Sequence, residues 1–249
     1  MRVCEGGVDG GIAPVLSRAL VLSEPYQTRD DLDVPDIGLF RLPEKAVQFG
    51  TGAFIRGFVD FLLDEANRAG TFGGRVVVVG STGSGRVAAL KKQDGLFTLT
   101  TQGFADGRAI RKHRVISTVS RALSARNEWN RVLEVAAGSE IRLVFSNTTE
   151  VGIVLDGHDG PDLQPPRSYP GKLTKFLLKR AQTFDFDLGK GLTVVPCELI
   201  EDNGDRLREV VLTLADRWRL DVRFTAWVEQ AVWFANTLVD RIVPGVPAV

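Results

Sequence analysis

The chain has 249 residues, 44% of them hydrophobic and 25% charged, which is typical of a soluble globular protein that buries a substantial core. Lysine plus arginine and aspartate plus glutamate both number 31, so no overall charge favours nucleic acid or an anionic membrane surface. No apolar run approaches the roughly 18 residues of a membrane span. We therefore expect neither a nucleic-acid partner nor a membrane partner.

Cysteine and histidine usage argues against a metal centre. Cys4 and Cys197 lie far apart and have no neighbouring metal-ligand residues, which favours reduced thiols in a cytoplasmic protein. His113 and His158 have no companion at zinc spacing, so we predict no metal site. The segment 12–22 contains a proline and an arginine and lacks a basic leader, which argues against a signal sequence.

Glycines, an acidic run and scattered prolines open the chain. They predict that residues 1–42 form a mobile leader with one short helix near Val15–Leu22. We assign residues 43–249 to a single folded domain.

The domain opens with a strand, a glycine turn and a helix. Ala46–Phe49 predicts a buried strand, Gly50 and Gly52 a tight turn, and Phe54–Asn67 an amphipathic helix closed by Gly70. This order suits a dinucleotide-binding unit, because the glycines let the backbone turn and approach a pyrophosphate while the helix N-terminus offers free N–H groups. The usual third glycine is missing, so a turn without a ligand is the alternative. The apolar positions expected to face a sheet are Phe54, Phe58, Phe61, Leu62 and Ala66.

The next strand, Arg75–Val79, is a β-branched run typical of a parallel strand covered on both faces. The loop Gly80–Arg86 follows it, where a Rossmann unit reads the adenosine ribose and where an acidic residue would favour NAD. No acidic residue is present, and Ser81, Thr82 and Arg86 could accommodate a 2′-phosphate, so both NAD and NADP stay open. A surface loop without a ligand is the alternative.

Alternating residues in Gly95–Gly103 and Ile110–Val119 predict a two-stranded excursion. Ser124–Ala137 predicts a helix and Glu140–Phe145 a strand, which ends in the polar cluster Ser146–Glu150. The carboxyl ends of strands are where α/β sheets bind ligands. The short hydroxyl and amide side chains of this cluster suit a nicotinamide ribose or carboxamide, and capping of the next segment is the alternative.

The last third of the chain predicts helix Lys172–Phe184, strand Leu192–Val195, a helix that ends near Trp218, and a final helix at about Thr225–Asn236. Four carboxylates lie near the start of the helix that ends near Trp218. We interpret them as solvent-exposed residues at the helix start rather than as a metal site or a glycosidase pair. They are Glu198, Glu201, Asp202 and Asp205. An N-cap role is one interpretation of Asn203 or Asp205.

Four blocks in order carry a resemblance to a known family. They are Pro43–Phe58, Ser146–Ile153, Pro196–Ile200 with Asn203–Asp205, and Thr237–Val243. The chain resembles the polyol-specific long-chain dehydrogenases, the mannitol dehydrogenase family. This implies a Rossmann-like, doubly wound, mostly parallel α/β sheet with a β excursion, and a metal-free, NAD-dependent oxidoreductase of hexuronate breakdown. The second and third blocks favour members that interconvert D-tagaturonate and D-altronate over those that act on fructuronate or mannitol.

The resemblance also implies roles for individual residues. Asn203 would donate an amide hydrogen to the reacting oxygen, Asp240 would belong to the substrate site, and Glu150 to a proton path. With the positions reasoned above, the candidate cofactor-binding residues are Phe49, Gly50, Thr51, Gly52, Ala53, Phe54, Arg56, Ser81, Asn147 and Thr148.

The chain departs from the family at its end. Family members continue into a mostly helical second domain that supplies a catalytic lysine, whereas this sequence ends at Val249 and has no lysine beyond Lys190. We therefore expect the cofactor half of a two-domain enzyme, inactive or nearly so alone, with a missing domain or a second polypeptide as its partner. A non-catalytic nucleotide-binding or assembly module is the alternative from a different class.

Overall fold

The computed structural model describes residues 2–4, 15–81, 84–105, 107–148, 152–239 and 242–245. Within these residues the strands are β1 (Arg2–Cys4), β2 (Leu32–Asp33), β3 (Glu44–Phe49), β4 (Arg75–Gly80), β5 (Phe97–Ala105), β6 (Arg108–Ile116), β7 (Val119–Ser124), β8 (Leu143–Ser146), β9 (Thr193–Pro196) and β10 (Trp233–Phe234). The α-helices are α1 (Arg18–Val21), α2 (Glu24–Gln27), α3 (Ala53–Ile55), α4 (Phe61–Arg68), α5 (Ser84–Lys92), α6 (Trp129–Ala136), α7 (Tyr169–Thr183), α8 (Asn203–Arg217) and α9 (Val222–Ala231). A π-helical turn, Arg56–Asp60, joins α3 to α4 without a break.

The main sheet has six parallel strands in the order β10-β9-β8-β3-β4-β7. The first strand of the unit, β3, therefore lies at the centre, with β4 on one side and β8 on the other. The strand order reverses at this point, which is the position where open α/β sheets bind dinucleotides. The arrangement confirms the predicted Rossmann-like fold class.

Both faces of the sheet are covered because alternate residues of each central strand point to opposite sides. On one face Val47 and Val77 pack with α6, α7, α8 and α9. On the other face Val76 and Val78 pack with the α3–α4 helix, with α5 and with β5. Burial on both faces explains why β4 contains a continuous run of β-branched residues.

A second sheet forms the predicted excursion. Strands β5 and β6 pair antiparallel through nine residues each, and β1 and β2 flank them in the order β1-β5-β6-β2. The segment before the domain thus contributes two strands, and the side chain of Val21 in α1 is fully buried against Leu96 and Val115. Our division of the chain at residue 42 stays a prediction.

The first helix differs from its expected amphipathic pattern. Leu62 is exposed, whereas Asp60 and Asp64 are fully buried. A π-helical turn carries an extra residue relative to an α-helical turn, so the positions that follow it rotate around the axis. Asp64 is stabilised in its buried position by hydrogen bonds from the Ser117 N–H and hydroxyl and by an ion pair with Arg68.

Three other elements differ from the predictions. Residues 119–124 form the edge strand β7, although we expected an arm of the excursion to end at Val119 and a helix to begin at Ser124. The predicted loop Gly80–Arg86 gives way to α5 from Ser84 onward. The final predicted helix ends at Ala231, because the next residues pair with β9 as β10. No helix in the described part of the chain has the length and apolar character needed to cross a membrane.

Candidate dinucleotide site at the centre of the sheet

The turn after β3 begins with a glycine that no other residue can replace without strain. Gly50 has a φ of +132°, and a Cβ atom there would lie 2.6 Å from the carbonyl oxygen of Asn147. The Gly50 N–H donates to the Val79 carbonyl oxygen at 3.0 Å, which ties the turn to the end of β4. The backbone is therefore fixed in a conformation that keeps the crevice at the carboxyl ends of β3 and β8 free of a side chain at position 50.

Gly52 is the N-cap of α3 and opens the helix that runs through Arg68. A Cβ atom at Gly52 would lie 3.9 Å from Asn147 Oδ1, so the two glycines face the same asparagine. The first N–H groups of a helix have no partner within the helix, and its N-terminus carries a partial positive charge. The turn thus has the two features that bind a pyrophosphate.

Asn147 and Thr148 lie at the end of β8, directly beside the turn. The Asn147 N–H donates to the Phe49 carbonyl oxygen at 3.0 Å, and its Nδ2 donates to the Cys197 carbonyl oxygen at 2.7 Å. This short segment therefore bridges the ends of β3, β8 and β9. The structure brings Asn147 and Thr148 together with Gly50, as the sequence predicts for a common site.

The other predicted cofactor residues lie around the same turn, with different orientations. Phe49 is fully buried and packs its ring on Tyr169 with centroids 5.4 Å apart, so only its backbone reaches the crevice. Arg56 is 4% exposed and places its guanidinium beneath the turn, 5.3 Å from the Phe97 ring centroid. Thr51, Ala53 and Phe54 are partly buried.

Ser81 lies at the end of β4, on the other side of the turn from Asn147. Its hydroxyl oxygen is buried and has no hydrogen-bond partner among the described residues. An unpaired buried hydroxyl is costly unless a ligand or water satisfies it. This position is where a Rossmann unit binds the adenosine ribose, so the residues present fit a dinucleotide. Thr82 lies outside the described residues, and Arg86 is exposed on α5.

A buried carboxylate joins the ends of β8 and β9. Glu198 is 2% exposed and accepts hydrogen bonds from Ser146 Oγ at 3.0 Å, from the Thr148 N–H at 3.0 Å and from Thr148 Oγ1 at 2.9 Å. Our interpretation of Glu198 as a solvent-exposed residue at the helix start was therefore wrong, although Glu201 and Asp202 beside it are exposed. Its one sequence signal is an acidic residue directly after a strand end.

Asn203 lies one loop further on, at the first turn of α8. Its side chain is fully buried, and Nδ2 lies within hydrogen-bond distance of the Pro196 and Glu198 carbonyl oxygens and of Thr237 Oγ1. Its Oδ1 accepts from the Thr237 N–H at 2.9 Å. Asn203 thus fastens the end of β9 to the segment after β10.

The N-cap interpretation of Asn203 or Asp205 was wrong. The N-cap of α8 is Asp202, which has a left-handed φ of 51° and makes no side-chain capping bond. Two other predicted catalytic residues, Asp240 and Glu150, lie outside the described residues. Among the described residues, no group of three histidine, cysteine, aspartate or glutamate side chains could hold a metal ion.

A second buried polar group lies beneath the turn, and the sequence did not reveal it. Gln48 is fully buried and donates from Nε2 to the Gly50 carbonyl oxygen at 3.1 Å. Asp60 lies beside it, and burial raises the pKa of Asp60 to about 8. The charge of Arg56 and a weak hydrogen-bond interaction with Gln48 act in the opposite direction and lower this pKa less than burial raises it. The Gln48 Oε1 and both Asp60 carboxyl oxygens have no hydrogen bond of ordinary geometry among the described residues. A proton on Asp60 supplies the donor that these oxygens otherwise lack.

Comparisons with known proteins agree with this geometry. Residues 44–248 match the family model described as the mannitol dehydrogenase Rossmann domain. The chain is 46% identical over 205 residues to an altronate oxidoreductase from Bacillus subtilis, covering 82% of this chain and 43% of that protein. It is 43% identical over 206 residues to an altronate oxidoreductase from Cronobacter sakazakii, with 82% and 43% covered.

Solved structures give the same result. Pseudomonas fluorescens mannitol 2-dehydrogenase, in a ternary complex with NAD and D-mannitol, aligns with a TM-score of 0.74 and 25% identity over 91% of this chain and 47% of that one. A D-sorbitol dehydrogenase in substrate-free form aligns with a TM-score of 0.74 and 26% identity over 94% and 49%. The chain thus spans less than half the length of each of these relatives. It belongs to the mannitol dehydrogenase family of oxidoreductases and contains that family's Rossmann domain.

Proposed function

We propose that this chain is the cofactor-binding part of a tagaturonate reductase, also called altronate oxidoreductase. Such an enzyme interconverts a hexuronate ketone and its aldonate with a nicotinamide dinucleotide, NAD or NADP. The observation that carries the proposal is the Gly50 turn, which faces Asn147 where the strand order of the sheet reverses. The altronate oxidoreductases at 43–46% identity support the substrate class.

The proposed cofactor lies across the carboxyl ends of β4, β3 and β8. Its pyrophosphate contacts the backbone at Gly50 and Gly52 and the N-terminus of the helix that they open. The adenosine ribose lies near Ser81, whose buried hydroxyl lacks a partner among the described residues. The nicotinamide half therefore lies on the opposite side, near Asn147 and Thr148. When bound, the nicotinamide exchanges a hydride with the carbonyl carbon of the sugar acid.

On the substrate side we assign Asn203, together with Asp240 and Glu150 from outside the described residues. An amide N–H aimed at the reacting oxygen stabilises the charge that develops there. The Thr237 Oγ1 contact at 2.9 Å is the bond that a substrate oxygen would replace on Asn203 Nδ2. Substrate binding would then require a shift of the segment after β10.

A general acid–base must also act on the reacting oxygen. The hydrogen bonds around Asn203 in the described part of the chain involve backbone carbonyls and Thr237, and they include no lysine or histidine. We assign the acid–base to a further domain or to a second polypeptide. The 249 residues alone would then bind the dinucleotide without turnover.

Calorimetry and an activity assay on the purified chain test this proposal. We expect measurable binding heat with NADH or NADPH and negligible NADH oxidation when D-tagaturonate is added. A folded chain that binds neither dinucleotide would overturn the cofactor assignment. Robust oxidation of NADH with D-tagaturonate would overturn the assignment of the acid–base to another domain. If the chain does oxidise NADH, faster oxidation with fructuronate or fructose than with D-tagaturonate would overturn the substrate assignment.

A further inference from the structure

The buried Glu198 carboxylate lies between two strand ends, and the hydrogen bonds that it accepts from described residues come from one segment. Three donors converge on it, all from the segment that begins with Ser146 and ends with Thr148. A carboxylate buried to 2% exposure is costly unless it is hydrogen-bonded, and three donors supply that stabilisation. The interaction therefore restrains the position of Thr148 relative to the end of β9.

The same segment is restrained from the opposite side by the glycine turn. Asn147 donates its N–H to Phe49 and leaves no room for a Cβ atom at Gly50. Glu198 and the Gly50 turn thus restrain residues 146–148 from opposite sides. Resting on the function proposed above, we propose that Glu198 is a positioning residue that holds Thr148 for contact with the nicotinamide half of the cofactor.

The acceptor oxygen of Glu198 also decides which hydrogen bonds Thr148 can make to a ligand. An ionised carboxylate only accepts hydrogen bonds, so the Thr148 hydroxyl hydrogen points at Glu198 Oε1, 2.9 Å away. The lone pairs of Thr148 Oγ1 that remain can only accept. Thr148 thus matches the amide hydrogens of a carboxamide or the hydroxyl hydrogens of a ribose, and both groups belong to the nicotinamide half of the dinucleotide.

Tyr169 packs behind this network. Its ring contacts Phe49, and its buried hydroxyl lies beside Ser146 and Glu198. Burial and the Glu198 charge raise the pKa of Tyr169 well above its ordinary value, so the phenol stays neutral. Glu198 is the acceptor that Ser146 and Thr148 share, which makes it the residue to change.

Two ligands separate positioning from simple loss of structure. NADH carries the nicotinamide half, whereas ADP lacks both the nicotinamide ring and its ribose and keeps the adenosine and the pyrophosphate. We expect Glu198→Ala and Thr148→Val to weaken NADH binding about tenfold, as the loss of one or two hydrogen bonds does, with ADP affinity nearly unchanged. Glu198→Gln should recover most of the NADH affinity, because its amide oxygen still accepts from Thr148. The exposed Glu201→Ala is the matched control and should bind both ligands normally.

Equal weakening of NADH and ADP would overturn the positioning role, and so would normal NADH affinity in Glu198→Ala and Thr148→Val. Circular dichroism on each variant reports whether it folds, and if Glu198→Ala does not, Thr148→Val decides by the same two criteria. An unmodified, folded chain that binds neither ligand would instead overturn the proposed function, and the role of Glu198 with it.

Discussion

Gly50 and Asn147 are in backbone contact across the centre of the sheet, with 2.6 Å between the position of a Gly50 Cβ atom and the Asn147 carbonyl oxygen. The two residues follow β3 and β8, the neighbouring strands at which the strand order reverses. A substitution that separates them must open the crevice in which a dinucleotide would lie. The contact therefore couples the stability of the turn to ligand binding.

Gly50→Ala should test that coupling. The positive φ and the clash with Asn147 should cost on the order of 1–3 kcal/mol of unfolding free energy and should also abolish NADH binding. Gly85→Ala is the matched control, because a Cβ atom there has no heavy atom of the described residues within 4 Å and the position lies in α5. Urea denaturation and NADH titration of the three proteins measure both effects. Normal NADH affinity in Gly50→Ala would contradict the placement of the pyrophosphate.

Asp60→Asn should change how stability depends on pH. In the folded chain Asp60 keeps its proton until about pH 8, because desolvation outweighs the attraction of Arg56 and the hydrogen bond with Gln48, and Asp64 adds a smaller upward effect. The unfolded chain releases this proton near the ordinary value of 3.8. Between these two pH values the folded state binds more protons, so this group lowers stability as pH rises, by up to about 1.4 kcal/mol per unit.

We therefore expect the free energy of unfolding to decline more steeply between pH 4 and pH 8 in the unmodified chain than in Asp60→Asn. Chemical denaturation at a series of pH values measures the difference. The exposed Asp216→Asn should match the unmodified profile. Parallel profiles for all three proteins would show that Asp60 is ionised in the folded state.

Asn203→Ala should destabilise the chain by about 1–3 kcal/mol, because it leaves the Thr237 N–H without its partner and removes one donor from the Pro196 and Glu198 carbonyl oxygens. The exposed Asn236 serves as the control, because its Oδ1 accepts a hydrogen bond from the Asp205 N–H in the first turn of α8. Asn236→Ala should cost about 0.5–1 kcal/mol in the same denaturation experiment. Similar losses in the two variants would argue against Asn203 as the fastening between β9 and the segment after β10.

Local patterns were sufficient to predict the centre of the fold. The run Val76–Val79 and the spacing of Gly50 and Gly52 depend on neighbours in sequence, and the structure has the predicted strands and turn there. β7 was missed because Ser120 and Arg121 interrupt its apolar character. Both contact Glu44, which is distant in sequence, so the partner that allows a polar edge strand cannot be inferred from a local window.

The buried polar groups escaped prediction for the same reason. Glu198 is buried only because Ser146 and Thr148 supply donors from 50 residues away in sequence or more. Asp60 is buried at the end of a π-helical turn, which the spacing of apolar residues in this helix did not predict. Hydrophobic periodicity treats such residues as solvent-facing, so charges that are buried and paired through tertiary contacts stay invisible to it.

Hydrogen exchange with and without NADH tests the central claim most directly, since it locates the ligand along the chain. We predict that NADH slows exchange at the Gly50 turn and its helix, at residues 146–148 and at the end of β9, and leaves the β5–β6 hairpin unchanged. Protection confined to other segments, or no protection at saturating NADH in a folded chain, would contradict the placement of a dinucleotide between Gly50 and Asn147.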